Sequence, residues 1–274
     1  MEKIDIGFVV LAYRNSEDLI DSIPSIKKSY SLYQYKVLVV NSLYDEKSEE
    51  EIHKVAIDNG CDYLCIENKG YGYGNNKGIE YFCLNYQFDY IVIANPDTLI
   101  LKNSFDYHKY QDKAFVLAPR IKNKCGKHQN PYWVINNPIA EYLIYCGHKK
   151  KRKFLLFLGL GLNRILRDVF HIKRYYHFRK VFACHGCFFI MTSKVIELIH
   201  SPFDEKMFLF AEENLLAHVL KAKGIPIMYT DDVEVLHKED GSMTLANIDE
   251  NNELSKSIIY YYEKITKDNE TKSK

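Results

Sequence analysis

The amino-acid sequence predicts an α/β fold with a Rossmann-like, mostly parallel sheet flanked by helices. In the first hundred residues, short apolar runs alternate with longer stretches of helical character, which is typical of strands joined by crossover helices. One of these runs, Tyr90–Ala94, is continuously apolar, as expected of a strand buried on both faces. It leads directly into the acidic turn Asn95-Pro96-Asp97. Because ligands of open α/β sheets bind beyond the carboxyl ends of such strands, this turn is the first candidate for a functional site.

This first part of the chain is predicted to contain seven elements, four strands that alternate with three helices. Their approximate bounds are Ile4–Tyr13, Ser16–Tyr30, Tyr35–Asn41, Ser48–Ile57, Tyr63–Glu67, Gly70–Asn85 and Tyr90–Ala94. Helices of this length between strands predict right-handed crossovers and a parallel sheet. After residue 100 the pattern is less regular. Two elements stand out there, an amphipathic helix that begins at Glu212-Glu213 and a strand that ends at His237.

Composition and charge narrow the class of protein. With 47% hydrophobic and 27% charged residues, the chain is typical of a soluble globular protein, and its net charge of +1 argues against nucleic-acid binding. Seven cysteines in a chain that shows no signal peptide predict reduced thiols in the cytoplasm. The pair Cys184 and Cys187 has the spacing of zinc ligands. A structural zinc site usually needs a second well-formed pair, so buried thiols are the favoured interpretation.

A glycine-rich element occupies Asn68–Gly78. Its glycine spacing fits neither a Walker A loop nor a dinucleotide-binding fingerprint. It predicts a flexible loop that opens a helix, with backbone N–H groups available to an anion or a ribose. An ordinary turn before a helix explains the same residues equally well.

Three further positions could carry chemistry. Asp97, just beyond a buried strand, could hold a divalent cation against a diphosphate, although a strand-ending turn alone would also explain it. Glu212 and Glu213 begin a helix, where carboxylates are favoured by the helix dipole. A partly buried carboxylate there could instead remove a proton from a hydroxyl group. His237 ends its strand and is a candidate metal ligand, although a lone histidine is more often structural.

The order of these elements resembles the inverting glycosyltransferases of family two, which have the GT-A fold, and in particular their bacterial rhamnosyltransferase-like members. The resemblance covers residues 4–244. It rests on Tyr13-Arg14-Asn15; on Asn68, Gly70, Gly74, Asn75, Asn76 and Gly78; on Asn95-Pro96-Asp97; on Phe203-Asp204-Glu205 with Phe208 and Glu212-Glu213; and on His237 with Gly241 and Ser242. It implies a metal-dependent hexosyltransferase that moves a sugar, with inversion, from a UDP- or dTDP-linked donor to a saccharide or lipid-linked acceptor in bacterial surface polysaccharide synthesis.

The resemblance also implies roles for individual residues. Asp97 would bind Mn²⁺ or Mg²⁺, and His237 would complete the coordination sphere. Glu213 would be the general base, with Glu212 orienting it or contacting the acceptor. The substrate-binding residues would be Tyr13, Asn15, Asn41, Asn68, Gly70, Gly74, Asn75, Asn76, Asn95 and Asp97.

Residues 1–100 would then form the half that binds the nucleotide sugar, and residues 101–250 the acceptor-binding and catalytic half of the same GT-A domain. Residues 251–274 would form a C-terminal helix and tail. Two positions depart from the family pattern. Asn41-Ser42 stands where aspartate and asparagine are usual, which leaves the nucleotide base open. Glu212-Glu213 stands where Glu-Asp is usual, and the additional methylene leaves open which carboxylate is the base.

The acceptor side of the molecule has two candidate features. Aromatic rings stack on sugars, so Tyr132 and His185 could lie near the acceptor, whereas Trp133 is expected in the core. Between Lys149 and Lys180, eleven basic residues and one acid, Asp168, are interleaved with apolar residues. This segment predicts either contact with an anionic membrane or a solvated helix pair packed on the sheet. The protein would accordingly lie free in the cytoplasm or peripherally at the inner face of the plasma membrane.

Two other functions remain open at this point. A nucleotidyltransferase would share the half-sheet and the metal-binding acid, but it would normally carry a glycine-rich basic loop after the first strand, where Ala12–Ser16 has no glycine. A catalytically degenerate member of the family could act as a binding or scaffold subunit of a polysaccharide synthesis complex. The departures at Asn41 and Glu213 are compatible with that role.

Overall fold

The computed structural model describes residues 1–172, 178–239 and 249–272. Within these residues the elements are β1 (Glu2–Ala12), α1 (Glu17–Ser29), β2 (Tyr35–Leu43), α2 (Glu46–Asp58), β3 (Asp62–Glu67), α3 (Tyr71–Asn85), β4 (Tyr86–Ala94), β5 (Thr98–Asn103), β6 (Val116–Asn123), α4 (Pro138–Lys149), α5 (Lys153–Ile172), β7 (Arg179–Val181), β8 (Phe188–Thr192), α6 (Ser193–Ile199), α7 (Glu212–Ala222), β9 (Ile227–His237) and α8 (Glu250–Lys272). All seven elements predicted in the first hundred residues are present. Two predicted features lie outside the described residues. They are Gly241 and Ser242, which follow His237 in the family resemblance, and residues 173–177 of the basic segment.

The described strands form one sheet in the order β3-β2-β1-β4-β8-β6-β9-β5, with β7 also paired to β9. Strands β1 to β4 are mutually parallel. Strand β8 runs antiparallel to both β4 and β6, β9 runs parallel to β6, and β5 and β7 run antiparallel to β9. Six of these strands therefore point in one direction, which confirms the prediction of a mostly parallel sheet. Their carboxyl ends meet along one edge, together with the first residues of β5 and β8.

Helices cover both faces of the sheet, and the alternation of side chains along each strand divides the core into two parts. Phe8 and Val10 of β1 belong to the core beneath α1 and α2, whereas Val9 belongs to the core beneath α3. Residues of α4, α6, α7 and α8 extend this second core. A strand covered on both faces needs apolar residues at successive positions, which explains the continuous apolar runs of the sequence.

The glycines of the Asn68–Gly78 element have a packing role that corrects the expectation of a flexible loop. The helix α3 begins at Tyr71, so Gly74 and Gly78 lie within it, four residues apart on one face. A Cβ atom on Gly74 would clash with Leu11, and one on Gly78 would clash with Val9. These glycines allow α3 to pack closely against β1. The backbone N–H of Tyr71 donates to the Phe208 carbonyl and is not available to a ligand.

Candidate active site

A cavity of about 460 Å³ opens at the edge of the sheet where the carboxyl ends of β1 to β4 meet. Each of these strands contributes a residue to its wall: Tyr13 follows β1, Ser42 lies near the end of β2, Asn68 follows β3, and Asp97 follows β4. The fold therefore places the cavity where open α/β sheets bind their ligands.

The wall includes eight residues predicted from the sequence as substrate-binding, catalytic or metal-binding: Tyr13, Asn68, Gly70, Asn95, Asp97, Glu212, Glu213 and His237. They come from both halves of the chain, and the fold brings them to one cavity. Their chemical roles stay predictions.

Five predicted substrate-binding residues lie outside the cavity wall. One of them, Asn15, follows β1, and another, Asn41, lies on β2. Asn15 faces the first turn of α1, where its side chain donates to Asp18 (3.0 Å) and accepts from the backbone N–H of Glu17 (2.8 Å). Asn41 is buried and donates to the hydroxyl group of Tyr63 (3.0 Å). Asn15 therefore uses both polar atoms of its side chain in local structure, whereas the buried Oδ1 atom of Asn41 has no hydrogen-bond partner among the described residues.

The other three residues outside the wall belong to α3, and they are Gly74, Asn75 and Asn76. Asn75 donates to the carbonyl of Tyr71, one turn earlier in the same helix (3.0 Å). Asn76 both donates to and accepts from the backbone of Phe203, at 2.9 and 3.2 Å. These contacts join α3 to the chain that precedes α7. Asn76 therefore positions the wall of the cavity without lining it, whereas Asn75 bonds only within α3.

Asp97 and His237 are neighbours because of strand register. Strand β5 pairs Thr98 with His237, which places the preceding Asp97 beside the histidine. The carboxylate Oδ2 of Asp97 lies 3.2 Å from Nε2 of His237. On the other side of the imidazole, Nδ1 lies 2.9 Å from Oε1 of Gln129. The Gln129 amide is oriented by Glu239, whose carboxylate accepts from Nε2 of Gln129 at 2.6 Å.

This arrangement fixes the tautomer of His237. Because Gln129 presents its carbonyl oxygen, Nδ1 of His237 must carry a proton, and a neutral imidazole then has its lone pair on Nε2. That lone pair and the Asp97 carboxylate are two acceptors at hydrogen-bond distance, and they require a shared cation, either a proton or a metal ion. One carboxylate oxygen and one imidazole nitrogen are suitable donors for a divalent cation such as Mn²⁺. A ring nitrogen held by an outer hydrogen bond is typical of metal-binding histidines.

A second group of potential ligand atoms lies next to this pair. Atoms of His185, Cys187 and His237 lie within 4.8 Å of one another. However, the backbone N–H of Cys187 donates to Nδ1 of His185 (3.2 Å), so a neutral His185 carries its proton on Nε2. Burial, reinforced by His237, lowers the pKa of His185 to about 3, and burial raises the pKa of the Cys187 thiol well above its ordinary value. Without a bound cation, Nδ1 of His185 is therefore occupied by a backbone N–H and the Cys187 thiol is protonated. The seven cysteine thiols are free, as the sequence predicts.

The acidic pair Glu212 and Glu213 begins α7, as predicted. The two residues before it, Phe210 and Ala211, have left-handed backbone conformations, with φ of 72° and 63°. Such strained residues are concentrated at functional sites. Burial raises the pKa of Glu213 to about 7. Burial and the nearby Glu213 raise the pKa of Glu212 to about 8.

The two carboxylates have different surroundings. Glu212 is 4% exposed, and its Oε1 has no hydrogen-bond partner among the described residues. Glu213 faces Gly186, where an added Cβ atom would lie 3.4 Å from Oε2. The absence of a side chain at position 186 leaves space directly in front of the Glu213 carboxylate.

The wall near Glu213 is aromatic. Tyr132 and His185 line the cavity with their ring centres 5.7 Å apart, as expected from the sequence, and Trp133 is buried in the core. Asn130 holds this wall, since its Oδ1 accepts from the backbone N–H of His185 at 2.6 Å.

Sequence reasoning missed Gln129, Glu239 and Tyr71. The hydroxyl group of Tyr71 donates to the carbonyl of Gly186 (2.7 Å) and so links α3 to the segment before β8. In the sequence, Tyr71 lies inside the glycine-rich element, and Glu239 lies two residues after His237. Their closeness to a motif is the signal that could have identified them. Gln129 carries no comparable signal in the sequence.

Comparisons with known proteins address the fold and the class of enzyme. No protein-family model matches the chain. The low-salt glycan biosynthesis hexosyltransferase Agl10 of Haloferax volcanii is 25% identical over 247 residues, which cover 88% of this chain and 69% of that protein. Among solved structures, GalNAc-T7 with UDP, GalNAc and Mn²⁺ superposes with a TM-score of 0.59 at 11% identity over 86% of this chain. Staphylococcus aureus TarS in complex with UDP gives 0.54 at 12% identity over 85%.

The chain spans 44% of the GalNAc-T7 chain and 60% of the TarS chain. The comparisons confirm the predicted fold and support a glycosyltransferase, the predicted class of enzyme. They do not confirm the narrower rhamnosyltransferase-like membership.

Proposed function

We propose that the chain transfers a sugar from a nucleoside-diphosphate donor to a hydroxyl group of a saccharide or lipid-linked acceptor, with inversion and with a divalent cation. One observation carries this proposal: a single cavity joins the Asp97–His237 pair, which needs a shared cation, to the buried carboxylate of Glu212 and the half-buried carboxylate of Glu213. The relative Agl10 is named a hexosyltransferase, and GalNAc-T7 binds UDP, GalNAc and Mn²⁺. These similarities support a nucleotide-sugar donor.

The donor occupies the wall made by the strand ends. Tyr13 offers a ring to the nucleotide base, and Ser42 and Asn68 offer polar atoms to the base or the ribose. Asp97 and His237 would hold the divalent cation, Mn²⁺ or Mg²⁺. When bound, the cation neutralises the charge that develops on the departing diphosphate.

Glu213 is the general base in this mechanism. A carboxylate whose pKa is raised to about 7 by burial can accept a proton near neutral pH and still be ionised in a useful fraction of molecules. It takes the proton of the acceptor hydroxyl while the hydroxyl oxygen bonds to the anomeric carbon. The bond from that carbon to the diphosphate oxygen breaks, and the diphosphate leaves with the electron pair. One displacement from the opposite side inverts the anomeric configuration.

The remaining groups of the wall position the acceptor. The ring of Tyr132 provides a surface for a sugar, and the Nε2–H of His185 provides a hydrogen-bond donor. Glu212, whose pKa is raised to about 8, is mostly protonated at neutral pH and can donate a hydrogen bond from its buried position. The space next to Gly186 faces Glu213, whereas Glu212 is 4% exposed, and this difference in surroundings makes Glu213 the base and Glu212 a positioning group.

The proposal can be tested by thermal unfolding with UDP, dTDP, GDP or CDP, each in Mn²⁺, Mg²⁺ or EDTA. A ligand that binds only the folded state stabilises it by about 2.7 kcal/mol at a hundred times its Kd. We expect one diphosphate to raise the midpoint only with metal, and Asp97→Asn to abolish the shift. Asn15→Ala, whose side chain lies outside the cavity wall, is the control and should retain it. Absence of any shift in the wild type would favour a catalytically degenerate binding subunit.

A further inference from the structure

The outward face of α5 carries large apolar side chains along the length of the helix, with the exposed Arg164–Asp168 pair among them. Six large apolar side chains of this face are between 38% and 76% exposed: Phe154, Phe157, Leu158, Ile165, Val169 and Ile172. We call them the outward stripe. They recur at helical spacing, and the helix extends roughly 30 Å at its usual rise per residue. A helix on the surface of a globular protein normally turns polar residues to solvent, so a stripe of this size marks an interaction surface.

The opposite face of α5 accounts for its packing within the molecule. Gly159 lies against α4, and Phe170 is buried in the core. The side chain of Asn163 donates to the carbonyl of Tyr132 (3.0 Å). The inner face therefore packs α5 against α4 and the core. It leaves the outward stripe unexplained.

A cationic turn adjoins the stripe. Five successive basic residues, Lys149 to Lys153, lie where α4 ends and α5 begins, and we call them the cationic turn. Lys149 pairs with Glu263, whereas Lys150, Lys151, Arg152 and Lys153 are exposed and form no ion pair with the described residues. The acid of α5, Asp168, pairs with Arg164.

We propose that the outward stripe and the cationic turn form a docking surface for an anionic lipid bilayer. Apolar side chains would enter the interface while the basic turn contacts acidic headgroups, with α5 lying in the membrane plane. In the described ranges no helix is long and apolar enough to cross a membrane, which agrees with contact from one side. Two copies packed stripe to stripe would bring no unpaired carboxylate of α5 to the basic turns, so charge complementarity favours the bilayer.

The docking surface is connected directly to the acceptor side of the cavity. From the inner face of α5, Asn163 bonds to Tyr132, and Nε2 of His171 lies 3.0 Å from the carbonyl of Asn130. Asn130 in turn holds His185. If the proposed function is correct, as this last step assumes, docking brings the acceptor wall close to the bilayer, and the acceptor is a lipid-linked saccharide.

Vesicle flotation tests the docking surface. We expect the wild-type protein to bind phosphatidylcholine vesicles that contain phosphatidylglycerol about tenfold more strongly than vesicles of phosphatidylcholine alone, with binding weakened by salt. The triple variant Phe154→Ser, Phe157→Ser, Ile165→Ser should lose about tenfold of this binding. The matched control, Leu32→Ser, Leu84→Ser, Leu101→Ser, removes three exposed apolar side chains elsewhere and should bind like the wild type.

The charge variant Lys150→Glu, Lys151→Glu should lose the preference for phosphatidylglycerol. Wild-type protein that binds neither vesicle, or a stripe variant that binds as well as the control, would overturn the proposal. A stripe variant that changes only the oligomeric state in sedimentation would identify a second copy as the occupant and would also overturn it. Nucleotide-dependent stabilisation of the same variants is measured in parallel, so failure of the donor site is seen separately from failure of docking.

Discussion

The two walls of the cavity are built in different ways. The donor wall is formed where successive parallel strands end, at Tyr13, Asn68 and Asp97. The opposite wall, which we call the acceptor wall, is formed by Tyr132, His185 and Glu213, and these residues lie outside the strands. The sheet fixes the first wall, whereas the second depends on hydrogen bonds between loops and helix starts. Donor binding and proton transfer should therefore be separable by mutation.

The largest separation is expected from Glu213→Gln. This change keeps the shape of the side chain and removes the base, so kcat should fall by about 10² to 10⁴. Binding of the nucleoside diphosphate, measured by calorimetry, should be unchanged. Glu212→Gln is the matched control and should cost less, because the space next to Gly186 faces the Glu213 carboxylate. A larger loss from Glu212→Gln would reverse the assignment of the two carboxylates.

The next largest effect concerns the junction of the two walls at Gly70. This residue has φ of 105°, and an added Cβ atom would clash with the backbone of Phe208. We expect Gly70→Ala to destabilise the protein by about 2–4 kcal/mol in urea unfolding. Gly60→Ala is the control. Gly60 has φ of 62° with no atom near the added Cβ, so its substitution should cost about 1 kcal/mol. Equal costs would mean that the close contact with Phe208 does not hold the walls together.

A smaller effect on the donor wall alone is expected from Gln129→Leu. Without the Gln129 carbonyl, the tautomer and orientation of His237 are no longer fixed, and loss of such an outer contact typically weakens metal binding 10- to 100-fold. Mn²⁺ affinity can be measured by electron paramagnetic resonance without turnover. Gln87→Leu, an exposed position near the start of β4, is the control. Unchanged Mn²⁺ affinity in Gln129→Leu would exclude this role.

The smallest effect is a graded response to pH on the acceptor wall. Below the raised pKa of Glu213, about 7, kcat/KM should fall about tenfold for each pH unit. Stability should change in the opposite direction. Between the ordinary carboxyl pKa of 4.5 and about 8, the folded state binds more protons than the unfolded state, so stability falls as pH rises. In the double variant Glu212→Gln, Glu213→Gln this loss of stability should disappear. Its persistence there would assign the titration to other groups.

The donor wall could be predicted largely from the sequence, because it depends on local patterns. An apolar run followed by a polar turn identifies both a buried strand and the residue placed at its carboxyl end, as at Asp97. Two motif residues with local partners lie outside the cavity wall. Asn15 accepts from the backbone N–H of Glu17, and Asn75 bonds within α3. A polar side chain in a motif cannot be assigned to ligand or scaffold without knowing its neighbours.

The acceptor wall could be predicted only in part, because its contacts join distant segments. Tyr71 reaches Gly186 across 115 positions of the chain, and Asn130 reaches His185 across 55. No periodicity encodes such pairs. The outward stripe of α5 is a different case, since its residues are local, but the sequence alone cannot tell which face of an apolar helix is packed. The sequence alone therefore leaves open whether the basic segment contacts a membrane or forms a solvated helix pair.

The most direct test of the proposed metal-dependent, inverting mechanism is to incubate the protein and Mn²⁺ with a panel of UDP-, dTDP-, GDP- and CDP-sugars. Sugar release is then followed by nuclear magnetic resonance. We predict that one donor releases its nucleoside diphosphate, and that the freshly released sugar has the anomeric configuration opposite to that of the donor. EDTA, Asp97→Asn and Glu213→Gln should each suppress the release. Release that is insensitive to all three, or a product that retains the donor's configuration, would contradict the proposed mechanism.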